Sequence, residues 1–316
     1  MKILIVGAGR LGSLLAASLQ RAGDAVVLVT GTRAAEPAGE RDIAIASHGD
    51  SFRARVRTAA TIGDAERHGP YDRVVLCVRT LDLDAIEPAL AEHAPALLAP
   101  GGTALSMLNG LDGDDALARW FSAERVVGAV ANLAVERDAA GTLVVTTGGD
   151  LVVAPLATSA GHTAASIARW LTASGIPCRA ASDLRMLRWT KLAWSCAINA
   201  VTALAQRPMG DVARNPHTRA LVLGVIREVM MVAAAEGLAL APALPAVYLR
   251  AAIDAGGARS SMLQDVLSGR ATEHAALNGA VCSYARRHRL SVPLNAALFA
   301  LLDARTDPNV SREEIS

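Results

Sequence analysis

The N-terminal stretch places a tight glycine turn between an apolar run and a helix, and few folds accommodate that order. Lys2 to Val6 reads KILIV, a short β-branched run typical of a parallel strand covered on both faces. It leads directly into GAGRLG, then into the helix-like SLLAASLQRAG, and then into a second apolar run, AVVLVT. This order predicts a βαβ unit at the start of a parallel sheet.

The glycines of the turn have the spacing of a dinucleotide-binding loop. Gly7, Gly9 and Gly12 match GxGxxG, with Arg10 and Leu11 between the second and third glycines. The first glycine permits a tight turn, the second lets backbone approach a pyrophosphate, and the third lets the helix pack close to the strand. A chance turn is the alternative, but the flanking strand and helix favour a Rossmann-like domain whose phosphate loop is formed by these five residues.

The residues after the second strand indicate which dinucleotide is bound. NAD and FAD sites usually carry an acidic residue there, whereas this chain reads Val29, Thr30, Gly31, Thr32, Arg33. Hydroxyl groups and a guanidinium suit a 2′-phosphate, so Thr30 and Arg33 favour NADPH. The alternative is that Arg33 is an ordinary loop arginine.

Two further candidates follow later strands of the predicted sheet. Arg79 comes after the run DRVVLCV, and Asn109 comes after TALSML. Open α/β sheets bind ligands at the carboxyl ends of their strands, so both residues are candidates for binding the cofactor. Asn109 with Gly110 is also an ordinary turn pair, and that interpretation stays open.

Composition excludes several classes of function. The chain has 316 residues, a formal net charge of +1 and 3% aromatic residues, which disfavours nucleic-acid binding. Its four cysteines are widely scattered without ligand spacing, so we expect no metal site, no disulfide framework and a cytoplasmic location. The N-terminal apolar run ends at the glycine turn and is not expected to be a secretory signal. No run approaches the roughly 18 apolar residues of a membrane span, so no membrane association is expected.

The character of the sequence changes after residue 178. Strand-like runs such as VVGAVANLAV and DLVVAPL give way to long Ala/Leu-rich stretches at helical period. We therefore predict an α/β Rossmann-like domain over residues 1–178 and an all-α domain over residues 179–316. The apolar helical half also offers a face through which two copies could form a homodimer.

One predicted helix carries a line of polar residues. In RMLRWTKLAWSCAINAVTALAQ, Lys191, Ser195 and Asn199 fall at i, i+4 and i+8 among apolar neighbours. The line is either the solvated side of a core helix or a set of groups that bind a ligand. A lysine held among apolar residues can have its pKa lowered towards neutrality, as a proton donor requires.

A second cluster lies in the run from Arg259 to Gly279. It places Glu273 behind Thr272, on the first turn of a helix predicted from Thr272 to Arg287. Glu273 could complement the helix dipole. It could equally bind a substrate hydroxyl or steady a lysine ammonium, and the residues alone leave both open.

With these parts in place, the chain resembles the ketopantoate reductase family over nearly its whole length. The resemblance rests on four runs: KILIVGAGRLG, LNG at residues 108–110, WTKLAWSCAINAVTAL and SSMLQDVLSGRATE. It implies a Rossmann domain followed by a helical domain like that of 6-phosphogluconate dehydrogenase, with the active site between them. The implied reaction is NADPH-dependent reduction of 2-dehydropantoate to D-pantoate, a step towards pantothenate.

The resemblance also implies roles for individual residues. Lys191 matches the family's catalytic lysine, and Glu273 matches the acid that works beside it. The residues that match the family's substrate site are Asn109, Ser195, Asn199 and Ser261. Ser195 departs from the asparagine that is common in the family, and many members carry their arginine directly after the second strand, earlier than Arg33. Two alternatives remain: a related reductase of another 2-keto acid, and an NADPH-binding sensor that has lost its chemistry.

Overall fold

The computed structural model describes residues 1–31, 38–47 and 49–306. The chain divides into two compact units, Met1–Leu187 and Arg188–Ser316. The predicted boundary lay earlier, after residue 178. Residues 178–180 form a strand that pairs in parallel with Leu151–Val153, so the sheet of the first unit continues past residue 178.

Within the described residues, the first unit contains one eleven-stranded sheet. Its strands, in chain order, are β1 (Lys2–Val6), β2 (Ala25–Val29), β3 (Gly39–Ser47), β4 (Asp50–Ala59), β5 (Tyr71–Leu76), β6 (Leu98–Ser106), β7 (Val126–Ala131), β8 (Ala134–Arg137), β9 (Leu143–Thr147), β10 (Leu151–Pro155) and β11 (Cys178–Ala180). Their spatial order is β11-β10-β7-β6-β5-β1-β2-β4-β3-β9-β8. The helices of this unit are α1 (Arg10–Arg21), α2 (Ile62–Glu66), α3 (Leu83–Leu97), α4 (Gly113–Phe121) and α5 (Gly161–Ala173).

The first strand shows why the sheet is covered on both faces. In β1, Ile3 and Ile5 belong to one buried cluster, while Leu4 and Val6 belong to a second cluster on the opposite face. Alternate side chains of a strand point to opposite faces, so a run that is apolar at every position needs cover on both sides. The predicted strand and its parallel pairing with β2 are confirmed.

A long hairpin that the sequence analysis did not predict stands beside β2. Strands β3 and β4 pair antiparallel, and β4 pairs with β2 in parallel. On β4, Ala54 and Val56 are buried, whereas Arg53, Arg55 and Arg57 are exposed. This strict alternation of small apolar and charged residues was a readable strand signal. A second antiparallel pair, β8 and β9, is joined by the turn at residues 138–141.

The second unit is helical, as predicted. Its elements, together with α6, which spans the boundary, are α6 (Leu184–Trp194), a π-helical segment (Ser195–Asn199), α7 (Ala200–Ala205), α8 (Met209–Arg214), α9 (Pro216–Ala235), α10 (Leu244–Asp254), α11 (Ser261–Leu267), a second π-helical segment (Ala275–Gly279), α12 (Ala280–Arg287) and α13 (Pro293–Thr306). Helix α9 is central and contacts the first π segment, α8, α10, α12 and α13. Its buried side chains are mostly valines and isoleucine, which provide the apolar core of this unit. None of the described helices combines the length and the hydropathy that crossing a membrane requires.

Candidate active site

The predicted cofactor residues lie where the parallel strands of the first unit end. Strands β2 and β5 lie on opposite sides of β1, so the strand order reverses between β1 and β5. Backbone hydrogen bonds from Gly7 to Val29 (3.1 Å) and from Cys77 to Val6 (2.8 Å) anchor the two loops at this point. Such a reversal opens the crevice in which α/β sheets bind nucleotides.

Each of the three loop positions is occupied by glycine for a different structural reason. Gly7 has a φ of +111°, and a Cβ built there would lie 2.8 Å from the Cys77 carbonyl. A Cβ on Gly12 would overlap the Gly7 carbonyl oxygen, so only glycine lets α1 pack this close to the loop. A Cβ on Gly9, the N-cap of α1, would meet no atom of the described residues within 4 Å apart from its chain neighbours. Open space above an uncapped helix start fits a phosphate group.

Two more predicted phosphate-loop residues begin helix α1. Arg10 is its first residue and is half-buried. Leu11 is also half-buried, and its side chain packs against the core that contains Ile3 and Ile5. Leu11 can therefore serve a phosphate through its backbone N–H, while its side chain anchors the helix to the sheet.

The residues expected to select NADPH lie beyond β2 and β5. The Thr30 hydroxyl faces the Ala59 carbonyl at 3.4 Å, and Arg33 lies outside the described residues. Arg79 forms a two-pronged ion pair with Asp82, at 3.0 Å from Nε and 3.3 Å from Nη2. The guanidinium of Arg79 is thus engaged by a carboxylate of its own loop, and a phosphate there would share or exchange that partner.

Asn109 lies in the turn after β6. Gly110, which follows it, has a φ of +86°, so the Asn-Gly pair does form a turn. The Asn109 carbonyl accepts a hydrogen bond from the Thr80 hydroxyl at 3.0 Å. This bond ties the turn after β6 to the turn after β5 and holds Asn109 and Arg79 on the same edge of the sheet.

In the second unit, Lys191 lies on the last turn of α6. Its neighbours Trp189, Leu192 and Ala193 are buried, and Lys191 itself is half-buried. Burial lowers the pKa of Lys191 from its ordinary 10.5 to about 8, because an apolar surrounding disfavours the ammonium. The Tyr248 hydroxyl donates to the carbonyl of Thr190 at 2.8 Å and so fixes the backbone next to the lysine. A lysine with such a pKa is suited to proton transfer near neutral pH.

The polar line beyond Lys191 is buried and irregular. Ser195 is 1% exposed and Asn199 is 8% exposed, so these two residues are not the solvated side of a helix. They begin and end the first π segment, in which the helix winds more widely than an α-helix. Regular α-helical winding is therefore interrupted between Lys191 and Asn199, although all three residues remain on one continuous helical stretch.

Glu273 and Ser261 lie at the starts of other elements. The helix predicted from Thr272 begins only at Ala275, as the second π segment, so half-buried Glu273 precedes the helix and is not on its first turn. Glu273 stays next to the N-terminus of this segment, so both roles considered for it remain predictions. Ser261 is the exposed first residue of α11. Its neighbour Ser260 is the buried N-cap, whose hydroxyl accepts from the Leu263 N–H at 3.1 Å.

Two family models match this chain. The model of ketopantoate reductase PanE/ApbA matches residues 3–158, and the model of its C-terminal domain matches residues 183–306. The chain belongs to the ketopantoate reductase family.

The relatives of this family member match along nearly their full length. It is 29% identical to a 2-dehydropantoate 2-reductase of Pyrobaculum aerophilum, covering 95% of this chain and 96% of the relative. It is also 29% identical to one of Caulobacter vibrioides, covering 96% and 98%.

Solved structures of the family show the same fold. The 2-dehydropantoate 2-reductase of Geobacter metallireducens superimposes with a TM-score of 0.86 at 30% identity, covering 96% of this chain and 99% of that one. A D-mandelate dehydrogenase solved with NADH and anilino(oxo)acetate has the same TM-score at 21% identity, covering 97% and 98%.

The sequence analysis of this ketopantoate reductase family member missed a buried polar network beside the first π segment. Its members are Thr202, Glu228, Ser260, Asn278 and Asn295. The available signal was a short polar residue inside an otherwise apolar run, as Asn278 is in AALNGAV. A buried polar side chain needs a partner, so each such residue pointed to a contact elsewhere in the chain.

Proposed function

We propose that this protein reduces 2-dehydropantoate to D-pantoate with NADPH, and that Lys191 donates the proton to the ketone oxygen. The observation that carries the proposal is a half-buried lysine with a pKa lowered to about 8, at the position where the family has its catalytic lysine. Relatives named 2-dehydropantoate 2-reductase that match 95% or 96% of the chain support the choice of substrate.

The glycine loop supports binding of the cofactor. Gly7, Gly9, Arg10, Leu11 and Gly12 would hold the pyrophosphate through backbone N–H groups at the start of α1. We assign the 2′-phosphate of NADPH to Thr30, Arg33 and Arg79, since hydroxyl and guanidinium groups replace the carboxylate that NAD sites use. When bound, the cofactor supplies the hydride that adds to the ketone carbon.

Negative charge develops on the ketone oxygen during the reduction. The Lys191 ammonium would stabilise this charge and then donate a proton to the oxygen. The products are the 2-hydroxy acid, the oxidised cofactor and a neutral lysine, which regains its proton from solvent. Ser195 and Asn199, buried on the same helical stretch, would bind polar atoms of the substrate. Following the resemblance, we assign Ser261 to the substrate carboxylate, Glu273 to its hydroxyl, and Asn109 to the same substrate.

A panel assay tests the proposal. NADPH oxidation should be fastest with 2-dehydropantoate among several 2-keto acids, and Lys191→Ala should lower kcat far more than it weakens NADPH binding. A Lys191→Ala variant with near wild-type turnover would refute the assignment of Lys191. Binding of NADPH without turnover of any keto acid would support a non-catalytic sensor instead.

Reduction of a different 2-keto acid is the second candidate. The Ser195 side chain is shorter than that of the asparagine common in the family. Its hydroxyl therefore extends less far from the helix towards a bound substrate. The D-mandelate dehydrogenase that shares this fold was solved with NADH and anilino(oxo)acetate. A higher kcat/KM for a bulkier keto acid than for 2-dehydropantoate would favour this candidate, and a preference for NADH would overturn the assignment of NADPH.

A further inference from the structure

The first π segment needs hydrogen-bond partners other than the backbone groups of a regular helical ladder. A π turn displaces backbone carbonyls from the regular α-helical ladder, and buried carbonyls must be paired. Two carbonyls of this segment accept from side chains. The Cys196 carbonyl accepts from Asn278 Nδ2 at 3.0 Å, and the Asn199 carbonyl accepts from the Thr202 hydroxyl at 2.9 Å.

The Thr202 hydroxyl connects the segment to helix α11. Thr202 Oγ1 lies 2.7 Å from the Ser260 hydroxyl, and both side chains are buried, at 0% and 4% exposure. Ser260 is the N-cap that fixes the start of α11, where Ser261 is the first residue. One pair of hydroxyls therefore sets both the end of the π segment at Asn199 and the beginning of the helix that presents Ser261.

Asn278 connects the segment to the region of Glu273. It lies in the second π segment, which begins two residues after Glu273. Its amide also donates to Asn295 Oδ1 at 3.1 Å, and Asn295 Nδ2 donates to Glu228 at 2.8 Å. Glu228 in turn accepts from the Leu294 and Asn295 N–H groups at the start of α13.

The Asn278 site is not optimised for stability. Both Asn278 and Asn295 have 0% exposure, and no group among the described residues donates to Asn278 Oδ1. A buried acceptor without a partner is costly, and the two bonds that Asn278 Nδ2 donates offset that cost. What the amide supplies is a donor at the displaced Cys196 carbonyl.

We propose that Thr202, Ser260 and Asn278 are positioning residues for the substrate site. They hold the first π segment, and with it Ser195 and Asn199, in fixed register with Ser261 and Glu273. The inference rests on the proposed function, because it concerns residues to which that function assigns the substrate. None of the three touches the reacting atoms in this assignment.

The pair Thr202→Val and Thr202→Ser tests this. Valine keeps the shape and loses the hydroxyl, whereas serine keeps the hydroxyl. Thr202→Val should raise KM for the keto acid roughly three- to tenfold, the effect of one hydrogen bond, with NADPH Kd within about twofold of wild type. Thr202→Ser should restore KM. Amide hydrogen exchange of residues 195–199 should be faster in Thr202→Val than in Thr202→Ser.

A matched control separates positioning from general stability. Thr218→Val removes a comparable hydroxyl bond, from Thr218 to the Val212 carbonyl at 2.6 Å, at the start of α9. It should lower the melting temperature without changing KM. A wild-type KM in Thr202→Val, or unchanged exchange in residues 195–199, would overturn the inference. The exchange measurement needs no substrate, so it reports on the π segment even if the wild-type protein reduces none of the keto acids and the proposed function fails.

Discussion

Raising the pH from 7 to 9 should remove most of the reductase activity, because Lys191, the proposed proton donor, loses its proton. Burial lowers the pKa of this lysine to about 8. About a tenth of a group with that pKa is protonated at pH 9 and about a hundredth at pH 10, whereas an ordinary lysine is still almost fully charged at pH 9. We expect kcat/KM for ketone reduction to be level below pH 7 and to fall about tenfold per pH unit above 8.

The assay is the initial rate of NADPH oxidation across this pH range at constant ionic strength. Oxidation of the 2-hydroxy acid in the reverse direction should show the opposite profile, rising up to about pH 8 and then levelling, because it requires the neutral amine. Opposite profiles in the two directions cannot arise from denaturation at high pH, which would lower both rates.

Lys191→Arg is the control variant. A guanidinium keeps the positive charge but does not release a proton below about pH 12, so kcat should fall by roughly a hundredfold or more and the decline near pH 8 should disappear. A wild-type rate that stays level to pH 10, or a Lys191→Arg profile that still declines near pH 8, would refute the role of Lys191 as a buried acid.

Three further predictions concern the glycine loop, the acid and the stability of the fold. Gly9→Ala should leave the melting temperature unchanged and weaken NADPH binding at least roughly tenfold. Gly12→Ala should also lower the free energy of unfolding by about 1–3 kcal/mol, because its Cβ would overlap the Gly7 carbonyl. Calorimetry measures the stability and fluorescence titration the binding, and equal effects of the two changes on stability would contradict this prediction. Glu273→Gln should raise KM for a hydroxylated keto acid and leave a keto acid without the hydroxyl nearly unaffected, as steady-state kinetics would show; equal effects on both would remove that role. Lys191→Met should stabilise the protein by on the order of 3 kcal/mol at pH 7, because the folded-state pKa of Lys191 lies below the ordinary 10.5 and its protonation favours unfolding. The stability of the wild type should therefore rise between pH 8 and 10.5. Denaturant unfolding should show a smaller difference in stability between variant and wild type at pH 10 than at pH 7.

Local patterns predicted the cofactor unit well. The run KILIV, the glycine spacing and the following helix depend on neighbouring residues, and the structure confirms them as β1, the loop and α1. The hairpin of β3 and β4 was missed although Arg53 and Arg55 alternate with buried residues. A strand that is charged on one face contains no continuous apolar run, and the strands were predicted from continuous apolar runs.

The π segments could not be predicted from local pattern. A regular helical period was expected for the line from Lys191 to Asn199, but the winding changes at Ser195, and the Cys196 carbonyl there accepts from Asn278, which is 82 residues away in sequence. The same reasoning applies to Glu273, whose helix was expected to begin at Thr272. A contact between distant residues leaves no periodic trace in either stretch, so a lone polar residue such as Asn278 indicates that it has a partner but not which residue that partner is.

The π segment between α6 and α7 also bears on how this enzyme family can change. A wide turn of this kind holds one more residue than a regular helix needs, so deleting one position between Ser195 and Asn199 would let ordinary winding resume while both flanking helices keep their packing. The fold can therefore accept the loss of a single residue at this segment. Substrate preference could drift through such small insertions and deletions without rebuilding the surrounding core.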